Sequence, residues 1–326
     1  MSNSFISDVR KKASQRYLKV TFPDAEDSRT LNAAVILKNE KIAEPSLVGN
    51  KAKIEQYAKD NNINIEGIQI YDPADSEFTS EFANMLYEKR KAKGMTLEQA
   101  QATVLDPLYY AGFLLETDRV QVCVGGNVSS TGNVIKAAIY SVGVAPGISI
   151  VSSYFIMVMP DGKMYCFADC AVNPDPTDAQ LADIAIASAK NFQAVTGEEP
   201  KVAMLSFSTK GSASHPHVDK VIAATNIIHE KAPSLPCDGE LQLDAAIIPS
   251  IGERKSPGST VAGKANVLVF PDLDAGNIGY KLTQRLANAE AVGPIVQGLK
   301  KPYCDLSRGC STDDMVNVAA ICSLMA

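Results

Sequence analysis

Residues 305–315 read DLSRGCSTDDM and stand directly ahead of the almost wholly apolar VNVAAICSLMA at 316–326. One arginine, three hydroxyls and three acids are thus gathered before a segment that can only be a buried helix. Ser311-Thr312-Asp313-Asp314 has the S-x-x-[DE] form of a capping box. In that reading Asp314 is a carboxylate in the first turn, favoured by the helix dipole by roughly 0.3–1 kcal/mol. The box accounts for Ser311 and Asp314 but leaves Ser307 and Arg308 without a purpose. A cation just before a helix start is electrostatically disfavoured. Arg308 is better explained if it faces an acid, an anionic ligand or negative charge that develops in a reaction.

Three further places set Gly, Ser, Thr or Lys just past an apolar run, where unsatisfied N–H groups at the next helix attract anions. GGNVSSTG (125–132) puts Ser129, Ser130 and Thr131 at a helix start, with Lys136 on that helix. SFSTKGSASHPH (206–217) holds Lys210 and Gly211 among hydroxyls. Both also fit an ordinary helix cap and tight loop. GSTVAGKA (258–265) nearly spells the P-loop G-x-x-x-x-G-K-[ST]. Ala265 lacks the hydroxyl that would meet Mg²⁺, and the NVLVF behind it reads as a strand. No G-x-G-x-x-G follows a strand either, so an ordinary nucleotide hydrolase or Rossmann dehydrogenase is excluded by these marks.

The elements that must position these groups alternate between short apolar runs and longer helical patterns. This argues for α/β architecture with mainly parallel strands. Strands are expected at 18–23, 46–50, within 63–73, at 120–126, 201–208, 245–251 and 265–272. A hairpin is expected from 148–159 through Pro160-Asp161-Gly162 into KMYCFADCA. Helices are expected at 28–42, 51–60, 77–93, 96–116 with a break at Pro107, 132–142, 177–196, 218–231 and 277–287. The chain's 326 residues suit two domains at ~100–200 residues each, with a crossing near 141–147 and a return near 292–294. A net charge of −6 argues against nucleic acid or an anionic membrane as partner. Seven cysteines, mostly in apolar runs, are expected to be reduced thiols, and three histidines make a zinc site improbable. The start lacks a signal-type apolar core and no apolar run reaches 18 residues, so a soluble, cytoplasmic protein is expected.

DLSRGCSTDDMV, FADCAVNPDPT (167–177), STKGSASHP (208–216) and VAGKANVLVFPDLDAGNIGYK (261–281) together resemble the phosphate acetyltransferase (phosphotransacetylase) family. The similarity runs from about Leu18 to the C-terminus. It implies reversible exchange of acetyl-CoA plus phosphate for acetyl phosphate plus CoA, by direct thiolate attack in a ternary complex. It also implies two α/β domains like those of isocitrate and isopropylmalate dehydrogenases, with the active site in the cleft between them. The domains would be 1–143 plus 295–326 and 144–294, in a homodimer. On this resemblance Asp314 is the catalytic base, with Arg308 and Ser307 beside it. Arg90, Lys136 and the Ser129, Ser130, Thr131 helix start hold phosphate or acetyl phosphate. Lys264, Asn266 and Lys281 meet CoA, a cosubstrate; no metal or tightly bound cofactor is implied. Lys136 stands where the family has an arginine, which keeps the charge but loses the bidentate fork suited to phosphate. The nearest rival is phosphate butyryltransferase, the same chemistry on a longer acyl chain. A metal- and NAD-dependent decarboxylating dehydrogenase would need clustered aspartates, and 173–176 and 271–274 offer only proline-rich turns. A catalytically silent binding protein is opposed by the intact Ser307, Arg308 and Asp314.

Overall fold

A computed structural model describes residues 4–326. Two units emerge from the internal packing, one running to Gly143 and resuming over Leu299–Ala326, the other spanning Val144–Gly298. In the first, α1 (Ser4–Arg16) leads into β1 (Lys19–Phe22), α2 (Ser28–Asn39), β2 (Glu44–Val48), α3 (Lys51–Asp60), β3 (Gln69–Tyr71), α4 (Thr79–Arg90), α5 (Leu97–Thr103), α6 (Pro107–Glu116), β4 (Val122–Gly125) and α7 (Thr131–Ser141). The second holds β5 (Ser152–Val158), β6 (Met164–Ala168), α8 (Asp178–Thr196), β7 (Val202–Leu205), α9 (Pro216–Lys231), β8 (Cys237–Leu241), α10 (Leu243–Ile247), α11 (Pro249–Lys255), β9 (Val267–Val269), α12 (Leu273–Leu286) and β10 (Glu290–Gln297). The chain then returns to the first unit with β11 (Tyr303–Asp305) and α13 (Thr312–Met325).

The sheet of the first unit is wholly parallel, in the order β11-β4-β1-β2-β3. β4 is buried along its whole length, as an apolar central strand covered on both faces should be. Strand order reverses between β1 and β4, and such a reversal opens a crevice at the carboxyl edge of a parallel sheet. The loops leaving β1, β4 and β11 all emerge at that edge. Side-chain caps start helices of this unit: Asp27 for α2, Asn50 for α3, Asp106 for α6 and Ser130 for α7.

The apolar tail is α13, with Met315, Val316, Val318, Ile321 and Cys322 buried. Each aliphatic side chain so buried contributes about 1.5–3 kcal/mol. α1 runs beside it. Arg10 donates to Asn317 Oδ1 at 2.9 Å and Asp313 Oδ1 at 3.0 Å, near one end of α13. Arg16 donates to the carbonyls of Ser323 at 2.5 Å and Ala326 at 2.8 Å, where a helix terminus lacks partners and favours a cation.

The second sheet has the order β10-β5-β6-β9-β7-β8, with β10, β5 and β6 antiparallel neighbours and the remaining pairs parallel. The expected hairpin is β5–β6. The expected α8 has a Thr177 capping box and ends on Gly197 at φ 83°. Residues 245–251, expected as a strand, instead fall in α10 and α11. A short apolar run does not distinguish a strand from a buried helix, and Pro249 opens α11, leaving only Ile248 extended ahead of it. Within 63–73 only β3 forms. Val292-Gly293-Pro294 lies inside β10 at a register shift against β5, on an edge strand where proline is tolerated. No helix among the described residues is long and apolar enough to cross a membrane.

α12 lies so close to the loop after β6 that a Cβ on Gly276 would stand 2.1 Å from the carbonyl oxygen of Asp169. A Gly→Ala change inside a helix ordinarily gains about 1 kcal/mol. Here overpacking costing about 1–3 kcal/mol opposes it. Gly276→Ala is therefore expected to lower the midpoint of urea unfolding, and an increase would show that α12 can shift freely.

Candidate active site

Three loops build the carboxyl edge of the first sheet. After β1, Asp24 turns its carboxylate onto the loop after β4. Its Oδ2 accepts from the N–H groups of Gly126 (2.8 Å), Val128 (3.3 Å) and Ser129 (3.2 Å), and Oδ1 accepts the Ser129 hydroxyl at 2.6 Å. Gly126 has φ +98°, and a Cβ there would meet Asp305 Oδ1 at 2.1 Å, so only glycine fits this close passage. Ser130 caps α7 by accepting from Asn133 N, and the Thr131 hydroxyl donates to Asp305 Oδ2 at 2.6 Å. All three hydroxyls of Ser129–Thr131 are thus engaged. The N–H groups of Thr131 and Gly132 open the helix, with open space around Gly132.

Asp305 closes β11 and is buried, and its Oδ1 lacks a hydrogen-bond partner among the described residues. Burial pushes its carboxyl up to about 6; the Thr131 hydroxyl pulls the other way and the charge of Asp24 adds to the rise.

Beyond it the segment 306–311 is tightly held. Leu306 N donates to Gly125 O at 2.7 Å and Cys310 N to Ser307 O at 3.0 Å. Arg29, at the start of α2, reaches across both neighbouring loops. Its Nε and Nη2 grip the Asp27 carboxylate at 3.0 and 2.9 Å. Its Nη1 donates to the carbonyls of Arg308 at 2.7 Å and Cys310 at 3.0 Å, and Nη2 to that of Asn127 at 3.0 Å. Burial tends to raise Asp27, but the bonds and charge of Arg29 outweigh it and hold the carboxyl below its ordinary range. Ser311 caps α13 in a full capping box: Asp314 Oδ2 accepts from Ser311 N and Oγ, both at 2.9 Å. Ser307, Arg308 and Asp314 are exposed. Among the described residues, neither the Arg308 guanidinium nor Asp314 Oδ1 has a bonded partner.

Arg90 and Lys136 meet on one aromatic ring. The Arg90 guanidinium stands 3.7 Å over Tyr140, Lys136 Nζ is 5.7 Å from the same ring, and Tyr109 meets it edge-on. Lys89 secures this arrangement, bonding Glu116 at 2.7 Å and the Ser141 carbonyl at the end of α7.

In the second unit, Lys264 and Asn266 precede β9. The Asn266 amide accepts from Lys201 N at 2.7 Å and donates to Glu199 O at 3.0 Å, so it serves the local backbone. Lys281 lies on α12, bonded to Asn277 at 2.7 Å and 5.7 Å from the Tyr280 ring. Nothing bonded joins these three. Sequence reasoning passed over Asp24, Arg29, Tyr140 and Asp305. One signal for Arg29 was present: a cation in the first turn after an acidic cap, as misplaced there as Arg308 is before α13.

A buried carboxyl raised from 3.8 to about 6 opposes folding once ionised. Between those values the folded state holds more protons than the unfolded one, so stability falls as pH rises, by on the order of 3 kcal/mol. Asp305→Asn should therefore be more stable than the parent at pH 7.5 and lose that advantage by pH 4. Urea melts at both pH values check it; a constant difference would mean that Asp305 does not titrate with folding.

The family described as phosphate acetyl/butaryl transferase matches this chain over residues 4–323. A phosphate acetyltransferase of Acetivibrio thermocellus is 47% identical, the alignment covering 99% of this chain and 98% of that protein. The crystal structure of a phosphotransacetylase from Streptococcus pyogenes superposes with a TM-score of 0.94 at 39% identity, over 100% of this chain and 98% of that one. The fold extends to a 4-hydroxythreonine-4-phosphate dehydrogenase from Burkholderia phymatum, with a TM-score of 0.54 at 11% identity over 93% of this chain and 98% of that one. The first two likenesses span nearly every residue, and with the family match they settle the kinship: this chain belongs to the phosphate acetyl/butaryl transferase family.

Proposed function

We propose that this acyltransferase moves an acetyl group reversibly between CoA and inorganic phosphate, with Asp314 as base. One observation carries the reading: the loop from β11 to α13 is fastened on both sides yet presents an exposed guanidinium and an exposed carboxylate. Towards acetyl-CoA, the CoA sulfur bonds to the carbonyl carbon of acetyl phosphate, the bond from that carbon to the phosphate oxygen breaks, and phosphate departs. The thiol proton passes to Asp314. Between an ordinary aspartate and an ordinary thiol this transfer costs roughly 6 kcal/mol. Arg308 lowers the cost by stabilising the thiolate, and exclusion of water by the substrates raises the affinity of the carboxylate for the proton.

The carbonyl oxygen becomes an oxyanion in the tetrahedral intermediate, and the Ser307 hydroxyl donates to it. Phosphate is held by Arg90, Lys136, Arg308 and the Ser129–Thr131 helix start, whose open donors are the backbone N–H groups at 131 and 132. Lys264 and Lys281 are the cations proposed for the CoA phosphates, and Asn266 supports the backbone beside them. CoA is a cosubstrate, and the active assembly is a cytoplasmic homodimer. Transfer is direct, without an acyl-enzyme. In keeping with this, Cys123, Cys166, Cys170, Cys304 and Cys322 are buried.

Phosphate-dependent loss of the acetyl-CoA thioester tests the reaction, and comparison of acetyl with butyryl phosphate tests the acyl chain. Asp314→Asn should lose kcat by about 10²–10⁴. Its melting temperature should hardly move, because an asparagine oxygen can still accept from Ser311. Parental activity in that variant would reduce Asp314 to a cap. Arg90→Gln should raise KM for acetyl phosphate more than KM for CoA; the reverse order would place the phosphate elsewhere.

A further inference from the structure

We infer that Arg29 is a positioning residue for the transfer reaction, a brace that sets Ser307 and Arg308 against the start of α7; this rests on the catalytic reading of that loop. A guanidinium has five N–H donors, and here each has an acceptor: two bonds to Asp27 and three to the carbonyls of Asn127, Arg308 and Cys310. The acceptors belong to the loops after β1, β4 and β11, the three that flank the reversal of strand order. Arg29 is therefore spent internally and is not available to substrate. Its cation opposes the dipole of α2, and the bidentate Asp27 pair, with N···O distances of 2.9 and 3.0 Å, compensates.

The peptide carbonyl that Arg29 grips hardest, at 2.7 Å, is that of Arg308 itself. That bond fixes the plane of the peptide from which the Arg308 side chain projects. A displacement of about 1 Å in a reacting group costs up to 10²-fold in rate. Lysine cannot replace the brace: it keeps the charge but offers one nitrogen where three separated carbonyls and a carboxylate must be met.

Cys310 reports on the brace directly. Its carbonyl is one of the acceptors, and its thiol is buried at 8% exposure. Cys237, partly exposed in the second unit, is an internal control. Lysine is the informative substitution because a retained positive charge keeps the electrostatics at Cys310 close to the parent's.

The test is Arg29→Lys in the full chain, with three measurements. The kcat for thioester formation should fall 10- to 100-fold with KM values changed less than threefold. Iodoacetamide labelling of Cys310, followed by peptide mass spectrometry, should quicken at least fivefold while Cys237 labels at the parental rate. Parental kcat in the folded variant overturns the inference, as does lost activity with Cys310 still as protected as in the parent. Should Arg29→Lys fail to fold, Asp27→Asn keeps the α2 cap but weakens the anchor; faster Cys310 labelling with lower kcat supports the brace, and parental labelling overturns it. Asp314→Asn assayed in parallel separates the two readings. Full activity there removes the catalytic role of the loop whatever Cys310 does, whereas an inactive Asp314→Asn beside a fully active Arg29→Lys removes the brace alone.

Discussion

Where parallel strands end at their carboxyl edge, the backbone loses its sheet partners, and every N–H or C=O left inside must find another. The loops of the candidate site start at that point, and the first unit meets the constraint with side chains. Asp24 accepts the amides of Gly126, Val128 and Ser129, while Arg29 donates to the carbonyls of Asn127, Arg308 and Cys310. A carboxylate serves the donors and a guanidinium serves the acceptors, one from the loop after β1 and the other from the first turn of α2. The shape of the site thus depends on residues that need never touch substrate. Neither is replaceable by a residue of the same charge but different geometry, since the acceptors and donors are separate and fixed.

In the proposed mechanism Asp314 satisfies two demands at once. As the third residue of α13 it completes a capping box, and that structural duty consumes only Oδ2. A capped carboxylate has a fixed direction, which a proton acceptor requires and a mobile surface acid lacks. Arg308 is free of any carboxylate among the described residues, and in the proposed mechanism it acts on the other partner in the exchange by favouring the thiolate.

The opening and closing of helices is readable from sequence because caps are local chemistry: Thr177 with Gln180, Gly197 at the far end of α8, Pro107, and Ser311 with Asp314 each act within four residues. The parallel sheet followed from alternation, and the β5–β6 hairpin from Pro-Asp-Gly. Residues 245–251 failed because their apolar run satisfies either period, and a glycine approach decides them: Gly252 packs where a Cβ would stand 2.5 Å from Gly263 N. β8 and β10 were missed because one is polar and the other contains Pro294. At the candidate site, Ser307, Arg308 and Asp314 stand out in the sequence because the capping box leaves Ser307 and Arg308 unexplained. Arg29 and Asp24 do not, because the carbonyls that Arg29 meets lie 98 to 281 positions away and the amides that Asp24 meets lie 102 to 105 away. Spacing in a sequence records neighbours along a helix or strand, and loops meeting at a sheet edge leave no period to read.

A chain of net charge −6 must still receive substrates that are themselves anions. Its cations divide by what holds them. Arg10 lies on Asp313, Arg29 on Asp27 and Arg119 on Glu81, each neutralised by a carboxylate within 3.0 Å. Arg90 and Lys136 are held instead by the face of Tyr140. A ring orients a cation for about 0.5–1 kcal/mol at an exposed site without cancelling its charge. A carboxylate in the same place would repel the phosphate proposed to bind there. The aromatic support therefore keeps positive potential available in an acidic protein, and it explains how a lysine can serve beside Arg90: Tyr140 supplies part of the orientation that lysine, lacking a planar fork, cannot supply for itself.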